Sequence, residues 1–173
     1  FTEGYVISLA CGRDGGFFAS TNGGVFQCDA VGGVWRRMDE AIYGDFINGL
    51  DAIMPLFVDR RGLLWVGRNG QGVMTVDPVT GTSEIRLRTG TVRTIAEDGN
   101  YRIWLGTSEG IVVMDTDGTS KRICQEAHRS SSLSDNSIYS ILPDRDGNIW
   151  VGTFFFFLNI YLSYVWVYTV AVF

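Results

Sequence analysis

The chain has 173 residues, 46% of them apolar, with 22 Gly and only 3 Pro, which excludes disorder and favours a turn-rich all-β design over a helical one. A net charge of −5 without a basic stripe excludes the phosphate neutralisation that nucleic acid requires, so no nucleic-acid partner is expected for this segment. Cys11, Cys28 and Cys124 form no CxxC pair, which excludes a zinc site; a Cys11–Cys28 bridge within one repeat and plain buried thiols both remain open.

Short apolar runs punctuated by Gly, Asp and Asn follow one another along the chain. The first group reads as strands at Val6–Leu9, Phe17–Ser20, Val25–Asp29 and Val34–Met38. The second reads as Ile53–Phe57, Leu64–Gly67, Val73–Asp77 and Ser83–Leu87. The third reads as Val92–Ile95, Ile103–Gly106, Ile111–Asp115 and Lys121–Cys124, the last more polar as suits an outer edge. A fourth group opens with the alternating run from Ile138 and the run Ile149–Thr153, then stops. Its start at Phe1, with the first repeat beginning almost at once, makes the N-terminus read as cut.

The groups share a pattern: two apolar residues three apart, an Asp, a tight turn, an aromatic, then Gly. The aromatics are Phe18, Trp65, Trp104 and Trp150, spaced by 47, 39 and 46 residues. Short strands at a period of roughly 40 to 50 residues are the mark of propeller blades. The expected fold is all-β: a partial β-propeller of about three and a half four-stranded antiparallel blades over 1–153, with blades near 5–40, 52–88, 91–125 and an incomplete one at 137–153. Trp65, Trp104 and Trp150 suit the wedge between adjacent sheets. Gly67, Gly106 and Gly152, two residues on, leave room for close packing. Asp59, Asp98 and Asp144, six residues before each Trp, are expected to accept turn N–H bonds; oxygen ligation of Ca²⁺ is the alternative, and a structural turn explains the repetition better. Asp29, Asp77 and Asp115 are expected to close the third strands. Three positions depart from the pattern: Tyr101 stands for the turn Gly, Arg68 for Thr, and Ser20 for Gly.

Residues 154–173 carry no charge and leave the repeat, with Phe156 and Tyr161 where a Gly and an Asp are due. Three readings fit them: a membrane-spanning helix, a non-native terminus read in the wrong frame, or a divergent pair of strands at Phe154–Ile160 and Tyr164–Val172.

The run Ser132-Leu133-Ser134-Asp135-Asn136-Ser137-Ile138-Tyr139-Ser140-Ile141, then Asp144-Arg145-Asp146-Gly147-Asn148-Ile149-Trp150-Val151-Gly152-Thr153, resembles the two-component regulator propeller repeat. The resemblance covers about residues 5 to 153, with the first copy degenerate. It implies a fragment of the periplasmic sensor region of a hybrid two-component system histidine kinase of the Bacteroidetes type. Its parent is then a membrane protein on the periplasmic side of the inner membrane, with further blades, a kinase, a phosphorelay and a DNA-binding output domain. It also implies oligosaccharide sensing, control of carbohydrate utilisation and a homodimeric parent. The kinase itself is not in this segment, and His128 lies in a polar loop rather than in a phosphoacceptor helix.

The expected function is therefore ligand sensing without a cofactor, metal or catalysis of its own. In the loop from Arg68 to Gln71, Arg68 and Asn69 could bond sugar hydroxyls, and Trp35 or Tyr43 could stack on a pyranose, although each also fits an ordinary turn or outer strand. A propeller glycosidase or lyase is the alternative. The acids outside the repeat, Glu40, Asp45, Asp51, Glu84 and Glu126, form no catalytic motif. An interaction scaffold ranks third, because Gly-His and Trp-Asp signatures are absent.

Overall fold

The structure is a computed structural model that describes residues 5–31, 33–38, 53–127, 132–154, 158–162 and 165–169. It holds sixteen strands among these residues, arranged as four four-stranded antiparallel sheets, each strand pairing with its neighbour in sequence. The first sheet is β1 (Val6–Cys11), β2 (Phe17–Thr21), β3 (Gly24–Cys28) and β4 (Trp35–Arg37). The second is β5 (Leu56–Val58), β6 (Leu64–Arg68), β7 (Gly72–Val76) and β8 (Ser83–Leu87). The third is β9 (Val92–Glu97), β10 (Ile103–Thr107), β11 (Gly110–Met114) and β12 (Ser120–Ile123). The fourth is β13 (Ile138–Pro143), β14 (Ile149–Thr153), β15 (Leu158–Leu162) and β16 (Val165–Thr169).

The fourth sheet differs from the half-blade expected from the repeat. Two strands drawn from the apolar segment complete it: Val151 lies opposite Asn159 and Trp150 opposite Ile160. The sheet forms without the repeat's turn chemistry because its side chains still find partners. Asn159, 1% exposed, accepts the Ser134 N–H at 3.0 Å and donates to the Ser134 hydroxyl at 2.9 Å. Tyr161 packs its ring 5.6 Å from that of Trp104. Among the described residues no helix is long and apolar enough to cross a membrane. The strand β5 is also shorter than the Ile53–Phe57 run. Pro55 has no N–H for the ladder, yet its carbonyl still accepts the Gly67 N–H at 2.9 Å.

The chain divides into two compact units, 1–92 and 93–173. In the first, the opening two sheets share a core that includes Phe18, Val25, Leu56, Leu64, Val66 and Met74. Two hydrogen bonds tie those sheets together: Ser20 Oγ to the Met54 carbonyl at 2.7 Å, and the Leu56 N–H to Ser8 Oγ at 3.1 Å. In the second unit, the third and fourth sheets enclose Trp104, Ile111, Val113, Leu133, Ile138 and Ile149. The inner strands β7, β10 and β11 are buried at every residue, so both sides of their pleats are covered. The outermost strands β8 and β12 face water.

Candidate functional site

The most repeated geometry is a carboxylate clamp between the first and second strands of a sheet. Asp98 opens the β9–β10 turn; its Oδ1 accepts the N–H groups of Asn100 and Arg102 at 2.9 and 3.0 Å. Its Oδ2 accepts the Trp104 indole N–H at 2.8 Å and the Arg102 guanidinium at 2.7 Å. Asp59 does the same with Arg61 and Leu63 on one oxygen and Trp65 and Arg61 on the other. Asp144 binds the Asp146 and Asn148 N–H groups, then the Trp150 indole and the Asn148 amide. One carboxylate therefore closes a turn and fixes the orientation of the wedge indole. The indole bond was not foreseen from the sequence, although the constant spacing of six carried the signal.

Burial is the largest influence on Asp59 and Asp98 and pushes their pKa upward. The indole, guanidinium and backbone donors together outweigh it and leave both carboxyls below the ordinary range. Asp144 is lowered chiefly by the Trp150 indole and the Asn148 amide. Every donor these groups meet is spoken for by structure, so the clamps are architectural. Among the described residues no three His, Cys, Asp or Glu side chains are grouped to hold a metal.

Close approach is visible at the repeated glycines. A Cβ on Gly106 would lie 2.5 Å from Thr94 Cγ2 and 2.7 Å from Ile138 Cγ2. On Gly67 it would strike the Pro55 ring at 2.5 Å, and on Gly152 the Ser140 hydroxyl.

The suggested ligand contacts are less coherent. Arg68 donates to Gln71 Oε1 at 3.1 Å, and Asn69 Oδ1 accepts the Thr91 hydroxyl at 3.1 Å, so both are engaged within the β6–β7 turn and its neighbour. Burial, and then Arg88, depress the Arg68 pKa. Trp35 lies on the outer strand β4 of the first sheet, opposite Cys28, whereas Arg68 ends β6 of the second. Tyr43, Glu40, Asp45, Asp51 and His128 lie outside the described residues. Cys11, Cys28 and Cys124 are free thiols.

Two features escaped the sequence reading. Arg93 sets its guanidinium carbon 4.6 Å from the Tyr139 ring centre and donates to Ser137 Oγ at 2.9 Å, and Tyr139 stacks on Phe154. Arg93 and Tyr139 hold the same repeat position in successive sheets, so they meet only once the sheets pack. The second is a cleft of about 170 Å³ in the first unit, bounded by the β1–β2 turn, Phe18 and Gln27 on one side and by Val58, Gly62 and Pro78 on the other.

Comparison with known proteins fits this architecture. The two-component regulator propeller family matches residues 86–109 and 132–155. No curated protein matches the chain. The extracellular domain of a hybrid two-component system from B. thetaiotaomicron is similar in structure, with TM-score 0.72, 22% identity, and coverage of 88% of this chain and 21% of that one. A second such domain from the same organism gives TM-score 0.63 at 22% identity over 82% of this chain and 18% of that one. A virginiamycin B lyase from Staphylococcus aureus gives TM-score 0.69 at 12% identity over 95% of this chain and 55% of that one. The chain thus spans about a fifth of the length of the extracellular domains it resembles. It is an all-β partial β-propeller in which residues 86–109 and 132–155 match the two-component regulator propeller repeat.

Proposed function

We propose that this chain is part of the extracytoplasmic ligand-sensing propeller of a hybrid two-component sensor histidine kinase, that it senses oligosaccharides, and that it acts in control of carbohydrate utilisation. The carrying observation is the pair of two-component regulator propeller repeats on a propeller fold. In this reading the chain is not itself an enzyme. It sits on the periplasmic side of the inner membrane, continues into further blades of the same parent, and works in a homodimer. The segment after Thr153 contributes the outer strands of the fourth blade. Rigid sheets supported by the Asp–Trp clamps suit sensing, because a stiff frame passes ligand contacts to neighbouring blades without dissipating them locally.

The test is thermal denaturation and calorimetric titration with plant, host and microbial oligosaccharides. One of them is expected to raise the melting temperature and titrate to saturation. Silence across all three classes would refute glycan sensing. The likeness to virginiamycin B lyase favours a second reading, a propeller lyase. Turnover of quinupristin or a polysaccharide, abolished by one side-chain substitution, would establish it in place of the first.

A further inference from the structure

The first sheet departs from the other three at one place, and the departures remove volume together. At the clamp position Gly12 stands where the others have Asp59, Asp98 and Asp144. Four residues on, Gly16 stands where they have Leu63, Arg102 and Asn148, and two further on Phe18 replaces Trp. The turn still closes, because the Gly12 N–H donates to the Gly16 carbonyl at 2.7 Å, the Gly12 carbonyl accepts the Gly15 N–H at 3.3 Å, and Asp14 Oδ1 accepts the Gly16 N–H at 3.0 Å. Without an indole N–H there is nothing for a buried carboxylate to hold. A Cβ on Gly12 would point at the Asp14 carboxylate and sit 3.4 Å from Phe18 Cε2. The cleft of about 170 Å³ opens at this turn.

We propose that this cleft is a binding site for one neutral hydroxylated ring, of the size of a single hexose unit. Its walls carry the matching chemistry. Phe18 forms the floor, and Val58 and Pro78 give an apolar side suited to the C–H face of such a ring. Gln27 lies opposite Phe18 in the strand register and brings an amide able to donate and accept. Arg13 is held in place by donating its Nε–H to the Asp59 carbonyl at 3.3 Å. Arg13 and Asp14 side by side cancel in charge, which suits a neutral polar ligand better than an ionic one. At the corresponding positions of the other three sheets stand an Asp carboxylate and the Trp indole bonded to it. The ligand class rests on the glycan-sensing reading; the place rests on the cleft.

The experiment is saturation-transfer NMR of the chain with glucose, galactose, mannose, fucose and xylose. The companion variants are the double substitution Gly12→Asp with Phe18→Trp, which restores the pattern of the other sheets, and Gln27→Ala. At least one sugar is expected to give signal with the native chain. The double variant, shown folded by its circular dichroism, is expected to lose it, and Gln27→Ala to weaken affinity by about tenfold, one hydrogen bond's worth. Signal that persists unchanged in both variants would overturn the cleft and leave glycan sensing standing. No signal from any sugar would overturn the single-ring site, while the oligosaccharide titration decides the broader reading independently.

Discussion

Asp59 and Asp98 are 1% and 4% exposed, yet both ionise more readily than a free aspartate because their donors are arranged around the charged form. A carboxyl with a lowered folded-state pKa stabilises the fold in full above its unfolded value, near about pH 4, and the contribution is lost as pH falls through the folded value. Acid unfolding is therefore expected to steepen below about pH 4. Asp59→Asn and Asp98→Asn should each flatten that limb. At neutral pH each should cost about 2–3 kcal/mol, because the amide turns an N–H toward donors it cannot satisfy. Denaturant titrations at pH 7 and pH 3 measure both effects; an unchanged pH slope would contradict the clamp. The first sheet also suggests that Asp and Trp are coupled, since it lacks both. Asp98→Gly and Trp104→Phe should combine with less than additive loss, with a coupling of about 1–2 kcal/mol in a double-mutant cycle.

Among elements, the hairpin between the first two strands shows how one geometry tolerates different residues. Gly62 and Gly147 adopt φ of 89° and 86° three residues after the clamp Asp, and Tyr101 adopts 64° at the same place. Its N–H bonds the Asp98 carbonyl at 3.1 Å as the glycines bond theirs, so the clamp holds a residue in a conformation that costs roughly 1–2 kcal/mol. Tyr101→Gly is expected to stabilise the chain by about 0.5–1 kcal/mol, part of the relieved strain being offset by unfolded-state entropy. A lowered denaturation midpoint would show that the Tyr101 ring contributes more than its backbone costs. The glycine after each Trp separates tight from yielding contacts. Gly106→Ala drives a methyl into Thr94 Cγ2 of the neighbouring strand and Ile138 Cγ2 of the fourth sheet and should cost about 2–3 kcal/mol. Gly152→Ala meets chiefly a Ser140 hydroxyl, which can rotate away, and should cost under about 1 kcal/mol. Equal losses in melting experiments would remove close sheet approach as the reason for these glycines.

For the whole molecule, closure is the issue. Leu9 and Leu142 are 63% and 66% exposed on the first strands of the first and fourth sheets, and Phe17 and Tyr139 stand half in water. Trp150 is only partly buried, whereas Trp104 is covered by the fourth sheet of its own unit. A propeller hides such surfaces by adding blades until the ring closes. A longer chain that supplies further blades is expected to melt at higher temperature, stay monodisperse at concentrations where this one associates, and blue-shift the Trp150 fluorescence. Equal melting temperature and monodispersity for the two chains would contradict the partial-ring reading.

The strand order and the repeat were legible in the residues alone, because blade strands are local: each pairs with its neighbour across a short turn, and the 18, 65, 104 and 150 positions declare the period. Turn-capping by Asp was legible for the same reason, since donor and acceptor lie within four residues. What depended on tertiary structure was every contact whose partners come from different strands or sheets. The indole bond to the carboxylate, the Arg93–Tyr139 pair and the hollow beside Phe18 needed packed sheets to define them. So did the pairing of Leu158–Leu162 and Val165–Thr169, where buried contacts by Asn159 and Tyr161 take over from absent turn residues. Periodicity reports what each residue faces on its own strand, and packing alone decides what faces it in return.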